Sequence, residues 1–247
     1  MTKMLVLGGT AEAVEFAGGL AGARGFDVVY SLAGRTRMPT LPDCALRRGG
    51  FGGVEGLVSY MRDNDIDALV DATHPFAAQM AAHACDAAAL AGIPLFKFLR
   101  PAWDEPADAS WFHAATSSDA AGIINGRFGR VFLSSGLGDI AAFAHLPNVW
   151  FLVRSIDPSN GPSVLAQHHH ITSRGPFDLA AETALLRDWQ IEVLVSKNSG
   201  GDATRAKLDA ALALGIPVVM IDRPPVLPGT VYTSVSSIMD AVKIILR

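Results

Sequence analysis

The sequence predicts an α/β fold with mostly parallel sheets, arranged as two domains. Three observations carry this. Short apolar runs alternate with alanine-rich helical stretches over the first hundred residues. A proline- and acid-rich break, LRPAWDEPADAS at 99–110, interrupts that rhythm, which then resumes. Glycine pairs fall where the strands end. Strands alternating with helices imply parallel pairing through right-handed crossovers, the doubly wound pattern.

The elements follow in order. Residues 3–8 (KMLVLG) form a buried strand, and 11–23 a helix with Val14, Ala17, Leu20 and Ala21 at helical spacing. A second strand, DVVYSLAG, follows Gly25-Phe26, and a third run, CALRRG, ends in Gly49-Gly50-Phe51-Gly52-Gly53. A helix over 54–63, a strand over 66–71, a helix over 76–91 and a strand over 93–98 complete the first domain, 1–100. The break at 99–110 is the linker candidate. The second domain, 101–247, has strand-like runs at 111–115, 130–134, 149–153, 192–196 and 217–221. Helices fill 118–125, 178–188, 204–214 and 235–246, the last with Ser234 as N-cap and Val235, Ile238, Met239, Val242 and Ile245 on one face.

Composition narrows the function. The 247 residues carry 24 acidic and 20 basic side chains, a net charge of −4, with 50% hydrophobic and 18% charged residues. That apolar share excludes a disordered chain. The acidic balance argues against nucleic acid as a partner, which needs a basic footprint. Cys44 and Cys85 lie far apart with no CxxC, so neither a disulfide scaffold nor structural zinc is expected. The N-terminal apolar stretch is too short for a signal peptide and no run has membrane-spanning length, so a cytoplasmic protein without a membrane partner is expected.

In open α/β sheets, ligands bind at the carboxyl ends of strands. Gly8-Gly9-Thr10-Ala11-Glu12 follows the first strand and opens the first helix, where small residues let a phosphate approach backbone N–H groups. A tight strand-to-helix turn uses the same residues, and the spacing is not the full GxGxxG fingerprint. The second strand ends SLAGRTR, with Arg35 and Arg37 and no acid before Asp43. An arginine there suits the 2′-phosphate of NADP, where NAD sites place a carboxylate. A solvated loop arginine is the alternative. The GGFGG loop at 49–53 is pliable enough to lie against a cofactor, or is a mobile turn with an aromatic anchor. In DATHPFA at 71–77, His74 is held extended by Pro75. It serves as a proton donor, a ribose partner or a turn cap.

The second domain offers Ser134-Ser135-Gly136, Arg174-Gly175-Pro176-Phe177 and Ser196-Lys197-Asn198-Ser199-Gly200-Gly201. The last is dense in donors and suits a carboxylate or phosphate, or is an ordinary glycine loop. No metal site is expected at His168-His169-His170, because at most His168 and His170 share a strand face and no carboxylate or cysteine supports them. There is no GKS or GKT, no HExxH and no GxSxG, and no tyrosine has a lysine four residues on.

GGTAEA, AGRT at 33–36, GGFGG, DATHPFA, RGPF, SKNSGG with Thr204 and Lys207, and IPVVMIDRP at 216–224 together resemble the precorrin-6A reductase family. The resemblance runs over nearly the whole chain in family order. It implies two Rossmann-like domains with a cleft between them, and reduction of one double bond of precorrin-6A to precorrin-6B by NADPH in cobalamin biosynthesis. Carried over by motif, Gly9, Thr10, Glu12, Gly34, Arg35, Thr36, Gly50, Phe51, Gly52, Thr73 and His74 line the cofactor site. Ser134-Ser135-Gly136 matches no family motif. The tetrapyrrole substrate is multiply carboxylated, so Arg154, Arg174, Lys197, Asn198, Ser199 and Gly200 are its candidate partners. Lys197 and His74 are the candidate catalytic residues; the sequence assigns no proton donor, water being one source. A monomer is the expected assembly. Two alternatives stay open: an NADP-binding reductase of another small substrate, and a non-catalytic NADP- or tetrapyrrole-binding module.

Overall fold

The computed structural model describes residues 1–34, 39–158 and 163–246. The chain forms two compact units, Met1–Pro101 with Pro224–Arg247, and Ala102–Arg223. Each is built on a six-stranded sheet in which every neighbouring pair is parallel.

In the first unit the elements are β1 (Thr2–Leu7), α1 (Ala11–Ala21), β2 (Phe26–Leu32), β3 (Ala45–Arg48), α2 (Val54–Asp63), β4 (Ala68–Asp71), α3 (Ala78–Ala91) and β5 (Leu95–Phe98). The second unit contributes β6 (Trp111–Ala114), α4 (Ser117–Ile124), β7 (Arg130–Leu133), a 3-10 segment (Leu137–Phe143), β8 (Trp150–Ser155), β9 (Gln167–Thr172), α5 (Leu179–Asp188), β10 (Val193–Lys197), a 3-10 turn (Asp202–Thr204), α6 (Ala206–Ala213) and β11 (Val218–Ile221). The chain then re-enters the first unit as β12 (Val231–Tyr232) and α7 (Val235–Ile245).

The first sheet has the order β12-β5-β4-β1-β2-β3 and the second β6-β11-β10-β7-β8-β9. From β3 to β5 the first is the 3-2-1-4-5 arrangement of a dinucleotide-binding fold, with β12 as sixth strand. The second repeats that arrangement from β9 to β11. Its sixth place is filled by β6, the strand that precedes the rest in sequence.

Parallel strands buried on both faces read as continuous apolar runs. Met4, Val6, Val28 and Tyr30 pack with Phe16 and Leu20 of α1 and Ile238 and Val242 of α7 on one face of the first sheet. Leu5, Leu7, Val29 and Leu69 pack with Leu57 and Met61 of α2 and Ala84 of α3 on the other. In the second sheet, Phe132, Leu152, Leu194 and Met220 pack against Leu186 of α5 and Leu208 of α6. Helix starts are fixed by side-chain caps: Thr10 on α1, Asp178 on α5, and reciprocal capping boxes at Thr116/Asp119 and Ser234/Ser237. The predicted N-cap at Ser234 is therefore present.

One boundary needs correction. The expected second domain, 101–247, includes 224–247, but those residues pack on the first unit. Ile238 and Val242 of α7 are fully buried in its core, and Val231 and Tyr232 pair with Lys97 and Phe98. The strands β9 and β12 were not expected: β9 is largely exposed and histidine-rich, and β12 is two residues long. No helix among the described residues is long and apolar enough to cross a membrane.

Candidate functional site

Strand order in the first sheet reverses between β1 and β4, so the loops after these strands flank the position where such sheets bind ligands. Gly8 has to be glycine there, because a Cβ would fall inside the Tyr30 ring. That ring fills the space and its hydroxyl accepts the Gly9 N–H at 2.9 Å. Gly9 has φ +118°, which side chains disfavour. Thr10 works in two directions: its hydroxyl accepts the Ala13 N–H at 3.1 Å and donates to the Ala72 carbonyl at 3.0 Å. It thereby joins the β1 and β4 loops. Glu12, in the first turn of α1, is bound by Arg100, with Nη1 3.0 Å from both carboxylate oxygens. The helix start thus carries no unneutralised carboxylate, which would oppose an incoming phosphate.

The remaining cofactor candidates line the same end of the sheet. Gly34 follows β2 and is exposed. Arg35 and Thr36 lie outside the described residues. The Gly49 N–H donates to the Leu32 carbonyl at 2.9 Å, which keeps the GGFGG loop beside the end of β2. Arg47, not singled out from the sequence, holds that loop. Its guanidinium donates to the Gly49 and Gly50 carbonyls at 2.6 and 2.9 Å and lies 3.6 Å over the Phe51 ring. Phe51 also packs edge-on against Tyr60 and on the core. It is the aromatic anchor, so the loop offers its glycines.

At the end of β4, Asp71 is buried and accepts both the Thr73 N–H (3.1 Å) and hydroxyl (2.7 Å). Burial pushes its carboxyl above the ordinary range, opposed by these bonds and by Lys97. Lys97 donates to the Leu227 carbonyl at 2.6 Å, tying down the returning C-terminal segment. His74 is exposed and its Nδ1 accepts from the Phe76 N–H at 3.3 Å, so the neutral tautomer carries its proton on Nε2.

In the second sheet the order reverses between β7 and β10. Their loops are Ser134-Ser135-Gly136 and the segment from Lys197 to Gly201. The Lys197 ammonium is 2.6 Å from Asp139, which also accepts the Ser117 hydroxyl at 3.1 Å. Arg174 is exposed, and the neighbouring Phe177 N–H donates to the Ala203 carbonyl at 3.0 Å, joining the RGPF loop to the segment after β10.

Two expected substrate partners are corrected. Arg154 is 7% exposed and fully engaged, with a two-point bond to Glu182 at 2.6 and 2.8 Å and its guanidinium 3.9 Å over Phe177. The Asn198 amide is also occupied. Its oxygen accepts the Trp103 N–H at 2.8 Å and its nitrogen donates to the Trp103 carbonyl at 3.1 Å. Both residues shape the unit from within. Each reads as a free donor from sequence, because neither Glu182 nor Trp103 is near it along the chain.

Below these loops lies Lys207, buried on α6, with Nζ 5.5 Å from the Trp103 ring. Burial, with Arg154 adding to it and Glu182 opposing, lowers its ammonium to about 7. Two of the histidines at 168–170 have ordinary partners: His170 Nε2 is 2.7 Å from the Ser155 hydroxyl, and His169 stacks on Trp189. Cys44 and Cys85 are free thiols.

Comparison with known proteins is consistent with this geometry. The family model for precorrin-6x reductase CbiJ/CobK matches residues 3–245. The precorrin-6A reductase of Rhodococcus erythropolis is 51% identical over 93% of this chain and 92% of its own length. That of Rhodobacter capsulatus is 41% identical over 97% and 95%. The cobalt-precorrin-6A reductase of Methanothermobacter thermautotrophicus is 31% identical over 78% and 67%. Among solved structures, a CobK precorrin-6A reductase superimposes with a TM-score of 0.93 at 40% identity, covering 99% of this chain and 97% of that one.

Proposed function

The chain belongs to the precorrin-6x reductase CbiJ/CobK family, and from that premise we propose that it reduces one carbon–carbon double bond of precorrin-6A, with NADPH, to give precorrin-6B in cobalamin biosynthesis. The observation that carries this reading is the match of both units, over essentially the full length, to precorrin-6A reductases in sequence and structure. The higher identities to precorrin-6A reductases than to cobalt-precorrin-6A reductases favour a metal-free macrocycle as substrate.

The first unit fits a dinucleotide. Its sheet order, the Gly8-Gly9-Thr10 turn built over Tyr30, and a start of α1 whose one carboxylate is neutralised by Arg100 are what a pyrophosphate requires. When bound, NADPH supplies the hydride. Gly9, Thr10 and Glu12 would hold or border the pyrophosphate, with Gly34, Arg35 and Thr36 at the adenosine ribose. Gly50, Phe51, Gly52, Thr73 and His74 would flank the rest. In the second unit, Lys197, Ser199, Gly200 and Arg174 would meet the tetrapyrrole. Lys197 would stabilise its carboxylates or the electron-rich ring after reduction, and His74 is the second candidate at the reacting centre.

Arg35 offers the sharpest test of the cofactor. Arg35→Ala should weaken NADPH binding about 10- to 100-fold, the loss of charge-assisted bonds to a phosphate, and leave NADH binding nearly unchanged. Titration of both nucleotides checks this, and equal losses would remove Arg35 from the 2′-phosphate.

A further inference from the structure

The segment from Lys197 to Gly201 uses its main-chain acceptors more fully than its donors. The Lys197 carbonyl accepts the Ser199 N–H at 2.7 Å. The Asn198 carbonyl accepts from Arg223 Nε at 2.7 Å and the Ser199 carbonyl from Arg223 Nη2 at 3.0 Å. The Gly201 carbonyl accepts the Trp103 indole N–H at 3.0 Å. Four of the five main-chain acceptors are therefore occupied.

The donors are not. The N–H groups of Gly200 and Gly201 give no hydrogen bond to any described residue, although Gly200 is buried. A buried backbone N–H without a partner is costly, and such groups are rare. The Lys197 ammonium stands at the head of the same segment. An anionic oxygen is the group that satisfies such N–H donors, and a carboxylate presents two.

The clamp comes from the two ends of the second unit. Trp103 lies just inside its start and Arg223 is its last residue. One guanidinium spans two consecutive carbonyls, which a lysine ammonium on a flexible stem does not reproduce. We propose that Arg223 is a positioning residue which, with Trp103, fixes this loop with four of its five main-chain acceptors consumed and the Gly200 and Gly201 N–H groups left over, making it a main-chain seat for a carboxylate of the substrate. The proposal rests on the reading that this loop meets the tetrapyrrole. It gives Arg223, within the IPVVMIDRP stretch, a role.

The test is steady-state kinetics of Arg223→Met and Arg223→Lys with precorrin-6A and NADPH, together with amide hydrogen exchange of the loop. In Arg223→Met the KM for precorrin-6A should rise about tenfold or more, the loss of charge-assisted bonds that order the seat. The KM for NADPH should stay within about twofold. Arg223→Lys should fall between wild type and Met. Amides at 198–201 should exchange faster in Arg223→Met while those of β10 are unchanged. An unchanged precorrin-6A KM in Arg223→Met, or an equal rise in both KM values, overturns the proposal. Failure of the wild type to oxidise NADPH with precorrin-6A contradicts the reductase reading itself. Loop exchange unaltered by the substitution contradicts the clamp independently of turnover.

Discussion

Where strand order reverses, the first sheet ends in glycine, threonine and alanine, and the second ends in lysine, asparagine and serine. The two sheets share the same core order, so topology gives each a ligand-binding end. The side chains differentiate them. The first end is mostly small: Tyr30 supports the glycine turn, Thr10 ties two loops together, Arg100 cancels Glu12, and the buried carboxyl of Asp71 is turned to its own loop at Thr73. The second is charged at its surface and beneath, with Lys197 and Asp139 above and Arg154, Glu182 and Lys207 buried below. A backbone-lined end suits a diphosphate approached by N–H groups. A charge-lined end suits a polycarboxylate.

The buried charges are where this contrast breaks most sharply. Glu182→Ala should destabilise the protein by about 3–5 kcal/mol, because it leaves Arg154 as an uncompensated buried cation. Urea unfolding near neutral pH checks this. An effect below about 1 kcal/mol would show that the pair is solvated.

Gly8→Ala strikes the other end. Its Cβ would overlap the Tyr30 ring, so a loss of about 1–3 kcal/mol is expected, together with weaker nucleotide binding and an unchanged interaction with tetrapyrrole. Calorimetric titration with NADP separates the two ligands.

Lys207→Met should act in the opposite direction. Removing a buried cation in favour of an apolar chain is expected to be neutral or to stabilise by about 1–4 kcal/mol. The sign with pH follows from linkage. The ammonium in the folded state is lowered from the ordinary 10.5 to about 7, so between those values the unfolded chain binds more protons. Stability from this group therefore rises with pH from about 7 toward 10.5 and falls as pH drops back. Lys207→Met should abolish that slope, which unfolding at several pH values measures.

Much of the architecture was legible because parallel strands are apolar throughout and end in glycine. The loops at Gly8-Gly9, Gly49–Gly53, Thr73-His74 and Lys197–Gly201 were all placed correctly at strand ends. What escaped was long-range. Two residues, Val231 and Tyr232, carry no pattern that says which sheet they join, so the return of 224–247 to the first unit was missed. Arg154 at a strand end reads as a surface donor until Glu182, 28 positions away, is seen to cover it. Arg47 was overlooked although an arginine two residues before a glycine–aromatic loop is placed to bond that loop's carbonyls. Asp71 opens a motif whose conspicuous residue is a histidine, while its own buried carboxyl orders the turn.

The central claim is that the first unit binds NADPH and the second a precorrin, and that together they reduce it. The most direct measurement is oxidation of NADPH by the purified protein on addition of precorrin-6A, followed by loss of reduced-nicotinamide absorbance and by product mass. The account predicts one NADPH consumed per precorrin, a product heavier by two hydrogens, and much poorer use of NADH. A folded protein that binds NADPH but leaves both it and precorrin-6A unchanged would contradict it.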